Sequence, residues 1–131
     1  MSSYPDDRFY SKSHEWVRVD GEIATIGITD HAQHELGDVV FVDLPDAGEI
    51  FDEGQEFGTI ESVKAVSEIF LPVAGEIVEV NKGLADEPNA VNEDPHGDGW
   101  LVKVKVTSDG AVAGLMNAAA YEKFVEEEAK G

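Results

Sequence analysis

From Phe57 to Leu71 the chain runs for 15 residues without an Asn-Gly or Asp-Gly pair, and only Gly58, near the start, relaxes the backbone. One strand of that length would far exceed the usual five or six residues or so. The segment must therefore fold back on itself as a hairpin. The bend is expected at the polar cluster Glu61-Ser62 and the Lys64 that follows. Val63 resists positive φ, so a primed turn is disfavoured there and a type I turn is expected.

The remainder of the chain repeats this theme in shorter pieces. Glu15 to Val19 alternates in apolar character, Asp20-Gly21 supplies a two-residue turn, and Glu22 to Ile28 resumes as a strand. Thr29 or Asp30 can cap a short helix through Leu36, which Gly37 ends. Val39 to Val42 has the β-branched, apolar character of a buried strand, closed by a Pro45–Gly48 turn. Another turn spans Phe51 to Gly54, and a third spans Pro72 to Gly75. Gly75 to Val80 and Trp100 to Val106 alternate as strands, the latter with Lys103 and Lys105 on the wet face. Asn81 to Asp98 is rich in turn formers and reads as a long ordered loop with a helical turn near Leu84. Residues 117–130 carry Ala, Tyr, Phe and Val at helical spacing and read as a C-terminal amphipathic helix. Many short strands with few helices predict a mainly β domain of sandwich or barrel type. Residues 1–131 are expected to form one such domain.

Bulk composition narrows the function. A formal net charge of -19 repels nucleic-acid phosphates and anionic membrane surfaces, so neither is an expected partner. The same field favours encounter with proteins that present basic surfaces. No apolar run approaches the roughly 18 residues of a membrane span. The acidic start, Met1 to Asp7, resembles neither a signal peptide nor a transit segment. A cytoplasmic setting is the expectation, and the absence of Cys agrees with it.

Catalytic arrangements are scarce. Ser13-His14-Glu15 contains the residue types of a triad, but successive residues on a strand point to opposite faces. His31 and His34 stand at i and i+3, a spacing that can bind metal. With no Cys and no clear third ligand beyond Glu35, a surface pair is expected and no metal is assigned. Asp94 to Gly99 lacks the ligand rhythm and closing Glu of a calcium loop, so it reads as a turn. What remains is Lys64, the only Lys or Arg between Arg18 and Lys82, set among many carboxylates. Small Ala65 beside it leaves it open to another protein. By residue pattern alone, an ordinary solvated hairpin lysine is the favoured reading.

The motif Glu61-Ser62-Val63-Lys64-Ala65 resembles the lipoylation motif of glycine cleavage H-proteins. The resemblance extends through Ser13-His14-Glu15-Trp16-Val17, Ala24 to Thr29, His31-Ala32-Gln33, Leu36 to Val42, Pro72 to Ile77 and Gly97-Asp98-Gly99-Trp100. It covers about residues 7 to 128 in family order. Biotin carriers place Met on both sides of the modified lysine, unlike Val63 and Ala65. The lipoyl domains of 2-oxoacid dehydrogenases usually read Asp-Lys-Ala within longer chains. The H-protein family fits better than either.

The resemblance implies a lipoyl-domain-like barrel-sandwich hybrid, with the lipoyl hairpin at about residues 57–71 and lipoate in amide linkage to Lys64. The amide would take the net charge from -19 to -20. It further implies a carrier, not an enzyme, which moves an aminomethyl group from the glycine-decarboxylating P-protein to the aminomethyltransferase T-protein. The dihydrolipoyl arm would then be reoxidised by the dihydrolipoamide dehydrogenase L-protein, and lipoyl-attaching enzymes are further implied partners. In the family the loaded arm folds against its own body, and, carried over by position, Ser13, Glu15 and Glu68 are the candidates to meet its aminomethyl end. Relatives often have His where this chain has Glu35, with His34 one position earlier, and an aromatic Tyr where it has His96. A non-lipoylated scaffold of the same fold is the alternative.

Overall fold

The computed structural model describes residues 4–106 and 114–130. Its strands are β1 (Phe9–Tyr10), β2 (Glu15–Asp20), β3 (Ile23–Ile28), β4 (Val39–Asp43), β5 (Ile50–Phe51), β6 (Glu56–Ser62), β7 (Val66–Phe70), β8 (Gly75–Val80) and β9 (Val102–Val106). The helices are α1 (Asp30–Leu36), α2 (Gly83–Asp86), α3 (Ala90–Glu93) and α4 (Ala118–Lys130). Two antiparallel sheets form, with strand orders β1-β2-β3-β9-β8-β5 and β4-β6-β7. The expected mainly β class with short helices and a C-terminal helix is what the chain adopts. No helix among the described residues is long and apolar enough to cross a membrane.

Local chemistry accounts for most boundaries. The β2–β3 hairpin pairs Asp20 with Ile23, and Gly21 takes φ 66° at its turn, where a side chain would strain. At the start of α1, Thr29 accepts a hydrogen bond from the Ala32 amide. In α4 the cap is Asn117, whose side-chain oxygen accepts from the Ala120 amide. The main core lies between the sheets and includes Ile26, Ile60, Leu71, Ile77, Leu101 and Val104, all fully buried. A second cluster, Tyr10, Trp16, Ala118 and Tyr121, seats α4 on the outer end of the larger sheet. Tyr121 stacks on Tyr10 at 4.8 Å between ring centroids.

Two expectations need correcting. The Val39–Val42 segment is a strand but not a buried one, since Val40 and Phe41 are 47% and 56% exposed. β4 is one of the two edge strands of a three-stranded sheet, so its β-branched run reports pleated geometry, not burial. The 81–98 loop holds a second helical turn, α3, beside the one near Leu84.

Candidate functional site

The expected hairpin forms as β6 and β7, with the bend at Val63 and Lys64. Neither residue takes positive φ, in keeping with the β-branched Val63. Ser62 organises the tip. Its hydroxyl oxygen lies 3.3 Å from the Lys64 amide and 3.1 Å from the Ala65 amide, and the Ser62 amide donates to the Ala65 carbonyl at 2.7 Å. The hydroxyl also donates to that carbonyl at 3.2 Å. Ser62→Ala is therefore expected to cost about 1 kcal/mol and loosen the tip. Thermal unfolding, with amide exchange at Lys64 and Ala65, checks this.

The tip leans on the end of α1. The Val63 amide donates to the Asp38 carbonyl at 3.0 Å. Gly37 ends the helix at φ 79°, a conformation that L side chains rarely adopt. The Lys64 stem passes over it, with Cε 3.4 Å from where a Gly37 Cβ would stand. Behind both sits Asn92 of α3, which no sequence signal distinguished from other turn formers. Its amide nitrogen donates to the Gly37 carbonyl and the Gln33 side chain, and its oxygen accepts from the Val39 amide at 2.8 Å. Lys64 itself is exposed, flanked by Val63 and Val66 at 70% and 65% exposure. Among the described residues no carboxylate stands within 4.0 Å of its ammonium.

Of the three residues expected to meet the arm, two come together. Glu15 is buried at the start of β2, where one carboxylate oxygen accepts from the hydroxyls of Ser11 at 2.5 Å and Ser13 at 2.6 Å. The other lies 3.4 Å from the Phe70 amide of β7. Burial pushes the Glu15 carboxyl above the ordinary range, and the two serine hydrogen bonds partly offset it. Glu68 stands apart, exposed on β7 opposite Thr59. A cleft of about 200 Å³ is lined by Ser13, Glu15 and Phe70. A second, of about 460 Å³, runs between α1 and β7 and is lined by His31, Ala65, Val66 and again Ser13.

Residues 8–128 match the family model described as Glycine cleavage H-protein. The chain is 57% identical over 129 residues to the glycine cleavage system H protein of Herpetosiphon aurantiacus, covering 98% of each chain. It is 51% identical to that of Rubrobacter xylanophilus, covering 98% of this chain and 99% of the relative. The chain belongs to the glycine cleavage H-protein family. Its fold is similar to the crystal structure of a glycine cleavage system H protein from Mycobacterium marinum. That match has a TM-score of 0.87 and 40% identity, covering 94% of this chain and 99% of the other.

Where this chain departs from the family pattern, the structure gives each residue a place. His34 and Glu35 are exposed on α1, and Glu35 reaches His31 at 3.7 Å. His96 is a packing residue: its Nε2 accepts from the Asp30 amide at 3.2 Å, and its ring meets Tyr4 and Trp16 edge-on. The Ser13-His14-Glu15 trio does not assemble as a triad. His14 turns away from Ser13, and its Nδ1 lies 2.7 Å from the Tyr121 hydroxyl.

Burial holds both His14 and His96 below the ordinary histidine value of 6.5. For His96 the Arg8 charge adds to the effect, whereas Glu128 opposes it at His14. The unfolded chain therefore binds more protons than the folded one just below pH 6.5, and stability falls as pH falls. We expect the melting temperature to drop on acidification from about pH 7.5 to about 5.5, with His96→Gln flattening part of the slope.

Proposed function

We propose that this protein is the lipoyl-bearing carrier of a glycine cleavage system, with Lys64 as the attachment residue. The observation that carries this reading is the placement of Lys64. It stands exposed at a hairpin tip held by Ser62 and Asp38, beside a cleft whose walls begin at Ala65 and reach Ser13. An amide-linked arm needs an accessible ε-amine on a rigid support, and these residues fit that need. When attached, a lipoyl group supplies the disulfide and dithiol chemistry that a chain without Cys lacks.

The chain's own residues do the positioning. The Ser62 and Asp38 contacts fix the tip, so that a partner active site meets one geometry. Ser11, Ser13 and Glu15 form a recessed polar group, and a carboxylate is the natural partner of a protonated amine. Glu68, the third candidate for the arm, is exposed on β7. The partners are the P-, T- and L-proteins and the lipoyl-attaching enzymes. Tethering raises the effective concentration of the carried group at each of them. Purified lipoylated protein should restore glycine–bicarbonate exchange to isolated P-protein. Failure to do so while folded and lipoylated would overturn the carrier reading, and a chain that takes no lipoyl group would favour the scaffold.

A further inference from the structure

Two histidines and a glutamate from distant parts of the sequence converge where α4 meets α1. His14 lies in the turn before β2, His31 in the first turn of α1, and Glu128 near the end of α4. One ligand atom from each lies within 4.8 Å of the others. His14 Nε2 stands 3.2 Å from a Glu128 carboxylate oxygen, close to the spacing of two ligands sharing one tetrahedral ion with bonds of about 2.0–2.2 Å. The two imidazole rings lie 4.6 Å apart between centroids. We infer that His14, His31 and Glu128 form a binding site for a divalent transition-metal ion of the zinc type. The site would clamp the C-terminal helix to α1.

Four further observations support it. His14 Nδ1 faces the Tyr121 hydroxyl at 2.7 Å, and that hydroxyl reaches Thr29 at 2.7 Å. A metal-bound imidazole needs such an outer partner to fix its tautomer. With the ion on Nε2, the ring proton sits on Nδ1 and is donated to the Tyr121 oxygen, while the Tyr121 hydroxyl turns to Thr29. His14 is also the one non-glycine residue with positive φ among those described, at 70°. Backbone contacts hold it there, its amide donating to Ser11 and its carbonyl accepting from Thr29. Residues held in such conformations cluster at functional sites. Glu35, 3.7 Å from His31 Nε2, stands outside the three-atom cluster but adds negative charge beside it. Finally, a net charge of -19 concentrates cations at the surface. Two imidazoles and a carboxylate suit zinc better than calcium or magnesium, which take oxygen ligands.

Cobalt(II) titration of the tag-free full chain, read by visible absorption and followed by zinc displacement, tests the site. We expect one saturable site per chain. His31→Ala and Glu128→Gln, both partly or fully solvent-exposed positions, should each weaken binding at least tenfold with their circular dichroism unchanged. His34→Ala should bind as the parent does. A chain that binds no ion, or binds it equally well in His31→Ala and Glu128→Gln, or loses it in His34→Ala, overturns the assignment.

Discussion

Lys64→Arg is expected to fold as the parent does and to carry nothing. The side chain is exposed, and its stem only crosses Gly37, so stability should stay within about 0.5 kcal/mol. Arg keeps the positive charge but offers no amine that an attaching enzyme can acylate in the same way. Glycine–bicarbonate exchange with P-protein should fall by at least ~100-fold, the scale on which tethering acts. Retained exchange would mean that another residue carries the group, or that the arm is not needed. Unchanged melting beside lost exchange is the pattern that separates an attachment residue from a structural one.

The second large effect concerns the seat of α4. Tyr121 is fully buried, stacked on Tyr10, with its hydroxyl between Thr29 and His14. Tyr121→Ala opens a cavity and strands both hydrogen-bond partners. We expect a loss of about 3–5 kcal/mol. That is a large share of a typical total of about 5–15 kcal/mol. Tyr121→Phe keeps the ring and should cost only about 1–2 kcal/mol. Denaturant unfolding of the two variants checks the difference. If the pair lost equal amounts, the ring stack would contribute little, and α4 would be held elsewhere.

How much of this was legible in the sequence follows from how local each cause is. The Thr29 cap, the Gly37 stop and the Val63-Lys64 bend depend on residues within a few positions and appear where the sequence puts them, while the β2–β3 turn falls one residue later than read, at Gly21-Glu22, with Asp20 still in the strand. Exposure of β4 could not be read, because Val and Phe suit any pleated strand and only the sheet order makes this one an edge. Asn92 looked like one more turn residue, yet it ties α3 to Gly37 and Val39 across more than 50 positions. Spacing drew notice to His31 and His34, read as a surface pair, whereas the cluster at His31 is completed by His14 and Glu128 from distant parts of the sequence. Ser13 and Glu15 converge because the turn closed by the His14 amide on the Ser11 carbonyl, with His14 at φ 70°, folds Ser13 back onto the start of β2. Glu68, exposed on β7 opposite Thr59, does not join them. The family resemblance, not local physics, singled out Lys64 from other surface lysines.

The central claim, that Lys64 bears the arm, is tested most directly by intact mass. The purified chain is incubated with a lipoate-attaching enzyme, lipoate and ATP, and the product is digested and mapped. The account predicts the mass of one added lipoyl group, located on Lys64 and absent from Lys64→Arg. An unchanged mass, or an increment that survives in Lys64→Arg, would contradict it.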